Sequence, residues 1–183
     1  MTAPPQSFCN NTLMIMSNPE LDAEALYLAL AAQIKTALAG IDNAAIVGIH
    51  SGGAWLAERL ARELQLTQRL GFIDVSFYRD DFAEKGLHAE VRPTQIPFEV
   101  DGAAIVLVDD VLNTGRTTRA AINELFDYGR PAKIMLAALV DRGARELPIA
   151  ADFVAKIISL NKDQSLDLQR TDSGQLTLTI DHA

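Results

Sequence analysis

The chain has 183 residues, 16 Lys+Arg against 24 Asp+Glu, a formal net charge of −8, and 49 % hydrophobic against 22 % charged residues. This length fits one domain with one substantial core, and this balance argues against intrinsic disorder. A pI near 4.8 is the wrong sign for a generic nucleic-acid coat, whose phosphate contacts need clustered Lys and Arg.

Residues 1–17 carry no Lys or Arg and no sustained apolar core, which argues against a secretory signal and reads as an N-terminal extension. Within it, Cys9 is the only cysteine, so an intrachain disulfide and a cysteine-rich zinc site are excluded. Residues 18–183 form a single domain, with no repeat, low-complexity tract or linker to divide it. Asn18 can cap a first helix, Pro19 suits its first position, and Glu20 and Asp22 favour its positive end. Leu21, Ala25, Leu28, Ala32 and Ile34 or Lys35 then recur at roughly helical spacing until Gly40. Residues 44–49 read as a buried strand that breaks at His50-Ser51-Gly52-Gly53 and passes into a helix over 54–64. Residues 72–77 give a further strand. From Tyr78 to Gln95 no periodicity holds, and the polar stretch reads as a long flap.

Residues 103–108 are a buried strand, followed by a loop and a helix from about Arg116 to Asp127 that stops at Gly129 and Pro131. The longest apolar run, 134–140, is strand-sized and far short of the ~20 residues of a membrane-spanning helix. Arg130, Lys133, Arg142 and Arg145 lie close together, but Asp141 and Glu146 are mixed among them, the pattern of a solvated mixed-charge surface. Residues 153–158 and 176–180 are short strands, and residues 167–183 otherwise read as a strand and tail without an assignable role. Apolar strands alternating with helices imply an α/β fold, a mostly parallel sheet flanked by helices on both faces. The expected setting is cytoplasmic.

Ligands of such folds bind at the carboxyl ends of the strands. Residues 50–53 form one such loop, whose adjacent glycines let backbone amides come close to a ligand. The stronger signal is Ile105-Val106-Leu107-Val108-Asp109-Asp110-Val111-Leu112-Asn113-Thr114-Gly115-Arg116-Thr117. Two carboxylates end a buried strand, and a Thr-Gly-x-Thr turn then opens a helix, where amides and hydroxyls can hold a phosphate. The carboxylates can accept from sugar hydroxyls or hold Mg²⁺ through water. Beside the anion site rather than in it, they suit a ligand with phosphate at one end and vicinal hydroxyls in the middle. A P-loop is excluded because G-x-x-x-x-G-K-[ST] is absent, and a receiver domain would carry its acidic pair after the first strand.

That run resembles the phosphoribosyl-pyrophosphate (PRPP) motif of type I phosphoribosyltransferases. Together with Phe77-Tyr78-Arg79-Asp80-Asp81, Thr94-Gln95-Ile96-Pro97-Phe98, Asp127-Tyr128-Gly129-Arg130-Pro131 and the stretch 139–149, it is similar to the PyrR family of pyrimidine-operon attenuators and uracil phosphoribosyltransferases. The resemblance covers roughly residues 46–158. It implies a parallel sheet with a flap loop and a small hood, and transfer of ribose 5-phosphate from Mg-PRPP to uracil, giving UMP and pyrophosphate. It also implies a homo-oligomer, a dimer first, and in some members binding of a pyrimidine-operon mRNA.

By matched position, Asp109 and Asp110 would bind the ribose hydroxyls and support the oxocarbenium-like transition state. Asn113, Thr114, Gly115, Arg116, Thr117 and Thr118 would hold the 5-phosphate, and His50, Ser51, Gly52 and Gly53 the pyrophosphate. Tyr78 and Arg79 would open the flap that closes over PRPP and excludes water. The base would lie between Val140, Asp141 and Arg142 on one side and Phe153 and Val154 on the other. The resemblance implies no direct metal ligand: Mg²⁺ would arrive with PRPP and meet Asp109 and Asp110 through water. Three alternatives stay open: Phe153 as a core aromatic, Arg142 paired with Glu146, and His50 as a strand-end histidine without a role.

The chain departs from the family at two places. His50 and Gly52 stand where the family carries a basic residue and an arginine, so pyrophosphate binding would rest on Ser51, backbone amides and Mg²⁺. Residues 159–165 match poorly with the family's Thr-Ser-rich segment that contacts the message, which with the net charge of −8 argues against strong RNA binding. Two other functions compete: an RNA-binding attenuator that senses UMP or PRPP without catalysis, and a phosphoribosyltransferase for a purine base.

Overall fold

The computed structural model describes residues 21–75, 93–161 and 163–182. The expected N-terminal extension with Cys9, the Asn18 cap with Pro19 and Glu20, and the Tyr78–Arg79 flap lie outside the described residues. Five strands make one parallel sheet in the order β2-β1-β3-β4-β5: β1 (Ala44–Ile49), β2 (Leu70–Ile73), β3 (Ala104–Leu112), β4 (Lys133–Asp141) and β5 (Phe153–Ile157). All six residues of β1 are buried, as a parallel strand covered on both faces must be.

Helices α1 (Ala23–Leu38) and α2 (Gly52–Glu63) cover one face, and α3 (Arg116–Tyr128) covers the other. The core is accordingly split by the sheet. Tyr27, Leu30, Leu56 and Leu60 pack on Val106, Val108 and Leu139, whereas Ala121 and Leu125 pack on Ile105, Leu107 and Ala138. Among the described residues no helix is long and apolar enough to cross a membrane.

Several element boundaries shift from the sequence expectation. Helix α1 begins at Ala23, with Asp22 as its cap: Oδ1 accepts from the amides of Glu24 and Ala25 at 3.0 and 3.2 Å. Its buried face is Ala23, Tyr27, Leu30 and Ile34, and Leu28 is 59 % exposed. Of the expected stripe, Ala25, Leu28 and Ala32 face outward and Ile34 belongs to the buried face. Helix α2 begins at Gly52, so both glycines sit inside its first turn. Strand β3 runs on to Leu112, which places Asp109 and Asp110 in the sheet rather than in the following loop.

The largest revision is at the C-terminus. Residues read as a strand and tail form an antiparallel hairpin, β6 (Gln164–Arg170) with β7 (Leu176–His182), pairing Leu166 with Ile180 and Leu168 with Leu178. Leu166, Leu168 and Leu176 are buried in the core under α1 and α2. Glu24 Oε1 accepts from the Leu176 amide at 2.9 Å, and Arg170 pairs with Glu58 at 3.1 Å. This hairpin is the small unit added to the sheet, and one end of it reaches the site described next.

Candidate active site

In the order 2-1-3-4-5 the chain moves outward from β1 to β2, then returns to place β3 on the other side of β1. The crevice between the carboxyl ends of β1 and β3 is therefore the topological switch point, where open α/β sheets bind ligands. Both loops singled out in the sequence leave the sheet there: residues 50–53 after β1 and residues 113–115 after β3.

Backbone packing explains the glycines. A Cβ on Gly53 would lie 2.3 Å from the Val108 carbonyl oxygen, and one on Gly52 would lie 2.5 Å from the Asp110 carboxyl carbon. Only glycines let the start of α2 rest directly on β3. At the start of α3, Gly115 takes a φ of +91° in the left-handed region, and a Cβ there would meet the Ile149 side chain at 3.1 Å. The two helix starts share an electrostatic feature: neither α2 nor α3 has an acidic residue in its first turn. Helix α1, away from the crevice, is capped by Asp22 and carries Glu24 in its first turn. The positive ends of α2 and α3 are thus left for an external anion.

A pocket opens at the carboxyl end of β3, lined by Asp109 to Gly115, Thr117, Thr118, Arg142, Ser165 and Leu166, and residues 50–53 lie outside its lining. Asp109 is 5 % exposed, and its Oδ1 accepts from the Asp110 amide at 3.0 Å. Thr114 and Thr118 are buried, and the Thr118 hydroxyl has no hydrogen-bond partner among the described residues. Arg142 donates through Nη2 to the Gln164 carbonyl at 2.7 Å, while its Nε is buried without a partner among the described residues. A buried, unsatisfied N–H of a charged group is costly, and an acceptor on a ligand would satisfy it.

The structure does not bring every expected residue to the pocket. The Arg116 side chain, 56 % exposed, turns outward to Glu146 at 2.6 Å. That contact also removes the Arg142–Glu146 pair considered from sequence. Asp141 is held by Arg145 at 2.5 Å. Val140 is fully buried within β4, and Phe153 and Val154 pair in register with Ala137 and Ala138, short of the carboxyl end of the sheet. Phe153 packs on the core, and the Val154 carbonyl accepts from Gln33 Nε2 at 3.1 Å. His50 lies with its ring 5.5 Å from that of Phe72, beside the exposed Ser51. The peptide joining His50 and Ser51 is cis.

Ser165 and Leu166 are the lining residues that the sequence reading missed. Their signal was present: Leu166 and Leu168 alternate with polar residues, and so do Leu176, Leu178 and Ile180 beyond Thr171-Asp172-Ser173-Gly174.

The donor set fits Mg²⁺ delivered by a phosphorylated substrate. Asp109 and Asp110 offer hard oxygen donors, while no cluster of three or more His, Cys, Asp or Glu among the described residues makes a cage. Mg²⁺ is commonly held in this way, by one or two carboxylates together with substrate phosphates.

The phosphoribosyl transferase domain model matches residues 20–168. The chain is 55 % identical over 161 residues to the bifunctional protein PyrR of Ralstonia nicotianae, spanning 87 % of this chain and 92 % of that one. Against bifunctional protein PyrR of Nitrosococcus oceani, identity is 46 % over 162 residues, spanning 86 % and 92 %. Among solved structures, a hypoxanthine phosphoribosyltransferase from Staphylococcus aureus superposes with a TM-score of 0.58 at 22 % identity, covering 77 % of each chain. A purine phosphoribosyltransferase from Pyrococcus horikoshii gives 0.56 at 24 %, covering 74 % of this chain and 82 % of that one. At these identities the two structures share the fold alone.

Proposed function

Because the chain belongs to the phosphoribosyl transferase family, and within it to the PyrR proteins, we propose that it transfers ribose 5-phosphate from PRPP to uracil and regulates a pyrimidine operon. The observation that carries the enzymatic half is the crevice itself. Two carboxylates stand beside the Thr114-Gly115 turn that opens α3, and a cation whose Nε has no partner among the described residues lines the same pocket.

In this reading the amides and hydroxyls of residues 113–118 hold the 5-phosphate. Asp109 and Asp110 accept from the ribose hydroxyls and stabilise the positive charge that develops at the anomeric carbon as pyrophosphate leaves. Residues 50–53 and the start of α2 face the departing pyrophosphate, and Mg²⁺, when bound with PRPP, neutralises its charge. Tyr78 and Arg79 enter on the family resemblance alone, as the flap that excludes water.

The base end differs from the sequence expectation. Arg142 keeps its expected place there, with its Nε offered to a carbonyl oxygen of the ring, and Ser165 and Leu166 join it in place of Val140, Asp141, Phe153 and Val154. A protein acting on PRPP and on a transcript works in the cytoplasm, and pairing into a dimer is part of the same reading.

Incubating the protein with Mg²⁺, PRPP and each of uracil, hypoxanthine, guanine and xanthine tests it. UMP as the product is expected. A purine nucleotide instead would keep the PRPP site and overturn the base assignment. Absence of product from every base, with PRPP or UMP still bound, would make the chain a sensor.

A further inference from the structure

Three consecutive carbonyls in the turn from β3 to α3 point at one segment of chain. Leu112 O accepts from the Arg142 amide at 2.9 Å and from Arg145 Nη1 at 3.3 Å. Asn113 O accepts from the same Nη1. Thr114 O accepts from the amides of Glu146 and Leu147 at 3.0 and 3.2 Å. In a trans peptide the C=O of one residue and the N–H of the next point in opposite directions. The amides of Asn113, Thr114 and Gly115 are therefore aimed away from residues 142–147. A row of like-oriented amides running into a helix N-terminus is an anion nest.

Arg145 is the centre of this brace. Its Nε donates to Ile149 O at 2.9 Å and its Nη2 to Asp141 Oδ2 at 2.5 Å, while Nη1 spans the two loop carbonyls. One planar fork thus ties the end of β4, the loop, and the residue whose side chain meets Gly115. Asp141 is fixed in turn, since its Oδ1 accepts from the Gly143 amide at 2.7 Å. The guanidinium does not line the pocket. No regular hydrogen-bond ladder holds residues 113–115, so the direction of their carbonyls is set by what reaches them from outside. Lysine has three donors too, but on a single nitrogen, without the flat fork whose three nitrogens reach these separated acceptors.

We infer that Arg145, oriented by Asp141, is a positioning residue that turns the amides of residues 113–115 toward the 5-phosphate of PRPP. The inference rests on the PRPP reading given above. It removes Asp141 from base recognition and assigns it to phosphate binding at one remove.

The test measures Mg-PRPP binding by calorimetry, steady-state kinetics and thermal melting for wild type, Arg145→Lys, Arg145→Gln and Asp141→Asn. Arg170→Gln, a remote arginine in an ion pair, serves as control. Both Arg145 variants should raise Kd and KM for PRPP by roughly 10–100-fold, the loss typical when a supporting group is removed from behind a ligand-binding one. Asp141→Asn should raise them less and leave KM for uracil unchanged, and Arg170→Gln should alter neither.

A merely structural Arg145 would lower Tm and the active fraction, so kcat would fall with KM for PRPP unmoved; that result overturns the inference. So does Asp141→Asn raising KM for uracil alone. If Arg145→Gln does not fold, Arg145→Lys and Asp141→Asn decide by the same criteria. Wild type binding PRPP with variants that match it sinks the brace alone. Folded wild type that binds no PRPP sinks the reading beneath it and the inference together.

Discussion

The two ends of the pocket are built in opposite ways. The end proposed to hold the phosphate comes from one stretch of chain, residues 109–118, in which strand, turn and helix start follow one another directly. The other end is assembled from Arg142 after β4 and Ser165 and Leu166 on β6, joined by one hydrogen bond from Arg142 to the Gln164 carbonyl. A local site leaves its order in the sequence, because each group is placed by its neighbours. An assembled site leaves almost none, because its geometry depends on where a distant hairpin docks.

The sharpest way to break this contrast is at the local end. Asp109→Asn and Asp110→Asn keep the shape but turn one acceptor oxygen into an amide donor and remove the charge that, in the proposed reaction, faces the developing cation. We expect kcat to fall by roughly 10²–10³-fold, the usual scale for losing one aligned electrostatic group, with an unchanged melt. The two carboxylates are not equivalent, since Asp109 is 5 % exposed and Asp110 packs against Gly52. If both variants keep wild-type kcat/KM, the reactive centre lies elsewhere.

The fold was legible wherever burial dictates pattern. A parallel strand covered on both faces is apolar throughout, so β1 matches its expected span and β4 lies within a residue of it. The face of α1 was not legible, because its alanine-rich sequence offers apolar residues all round. The packing partner decides, and Tyr27 is buried under the Arg59 guanidinium, 4.0 Å above its ring. The hairpin partner of β7 was visible only as alternation in a short polar segment. The outward turn of Arg116 and the capture of Asp141 by Arg145 have no trace in spacing, since both depend on the path of residues 142–149 over the loop.

At the assembled end, Arg142→Met keeps the aliphatic stem and deletes every donor. A hydrogen bond from a charged group contributes about 1.5–3 kcal/mol, so KM for uracil should rise on the order of tenfold or more. KM for PRPP should stay near its wild-type value, because residues 113–118 do not depend on the hairpin. Steady-state kinetics with each substrate varied in turn separates the two. A parallel rise in both constants would mean that the pocket is one cooperative unit, and the contrast would fail.

The smallest expected effect lies where the hairpin meets the helices. Burial by itself would raise the pKa of Glu24, but the Leu176 amide and the Arg59 guanidinium, 2.5 Å away, hold it below its ordinary value. A carboxyl depressed in the folded state adds stability above its unfolded pKa and loses it as pH falls through the folded value. Glu24→Gln should therefore cost about 1 kcal/mol near neutral pH, in keeping with a half-buried charged hydrogen bond. The gap from wild type should close on acidification below the usual carboxylate range. Urea unfolding of both proteins from pH 7 to pH 3 measures it. A gap that stays constant across that range would show that the glutamate acts through packing and not through its charge. A gap that closes, with KM for PRPP unmoved throughout, would show that the hairpin can loosen without disturbing the phosphate end.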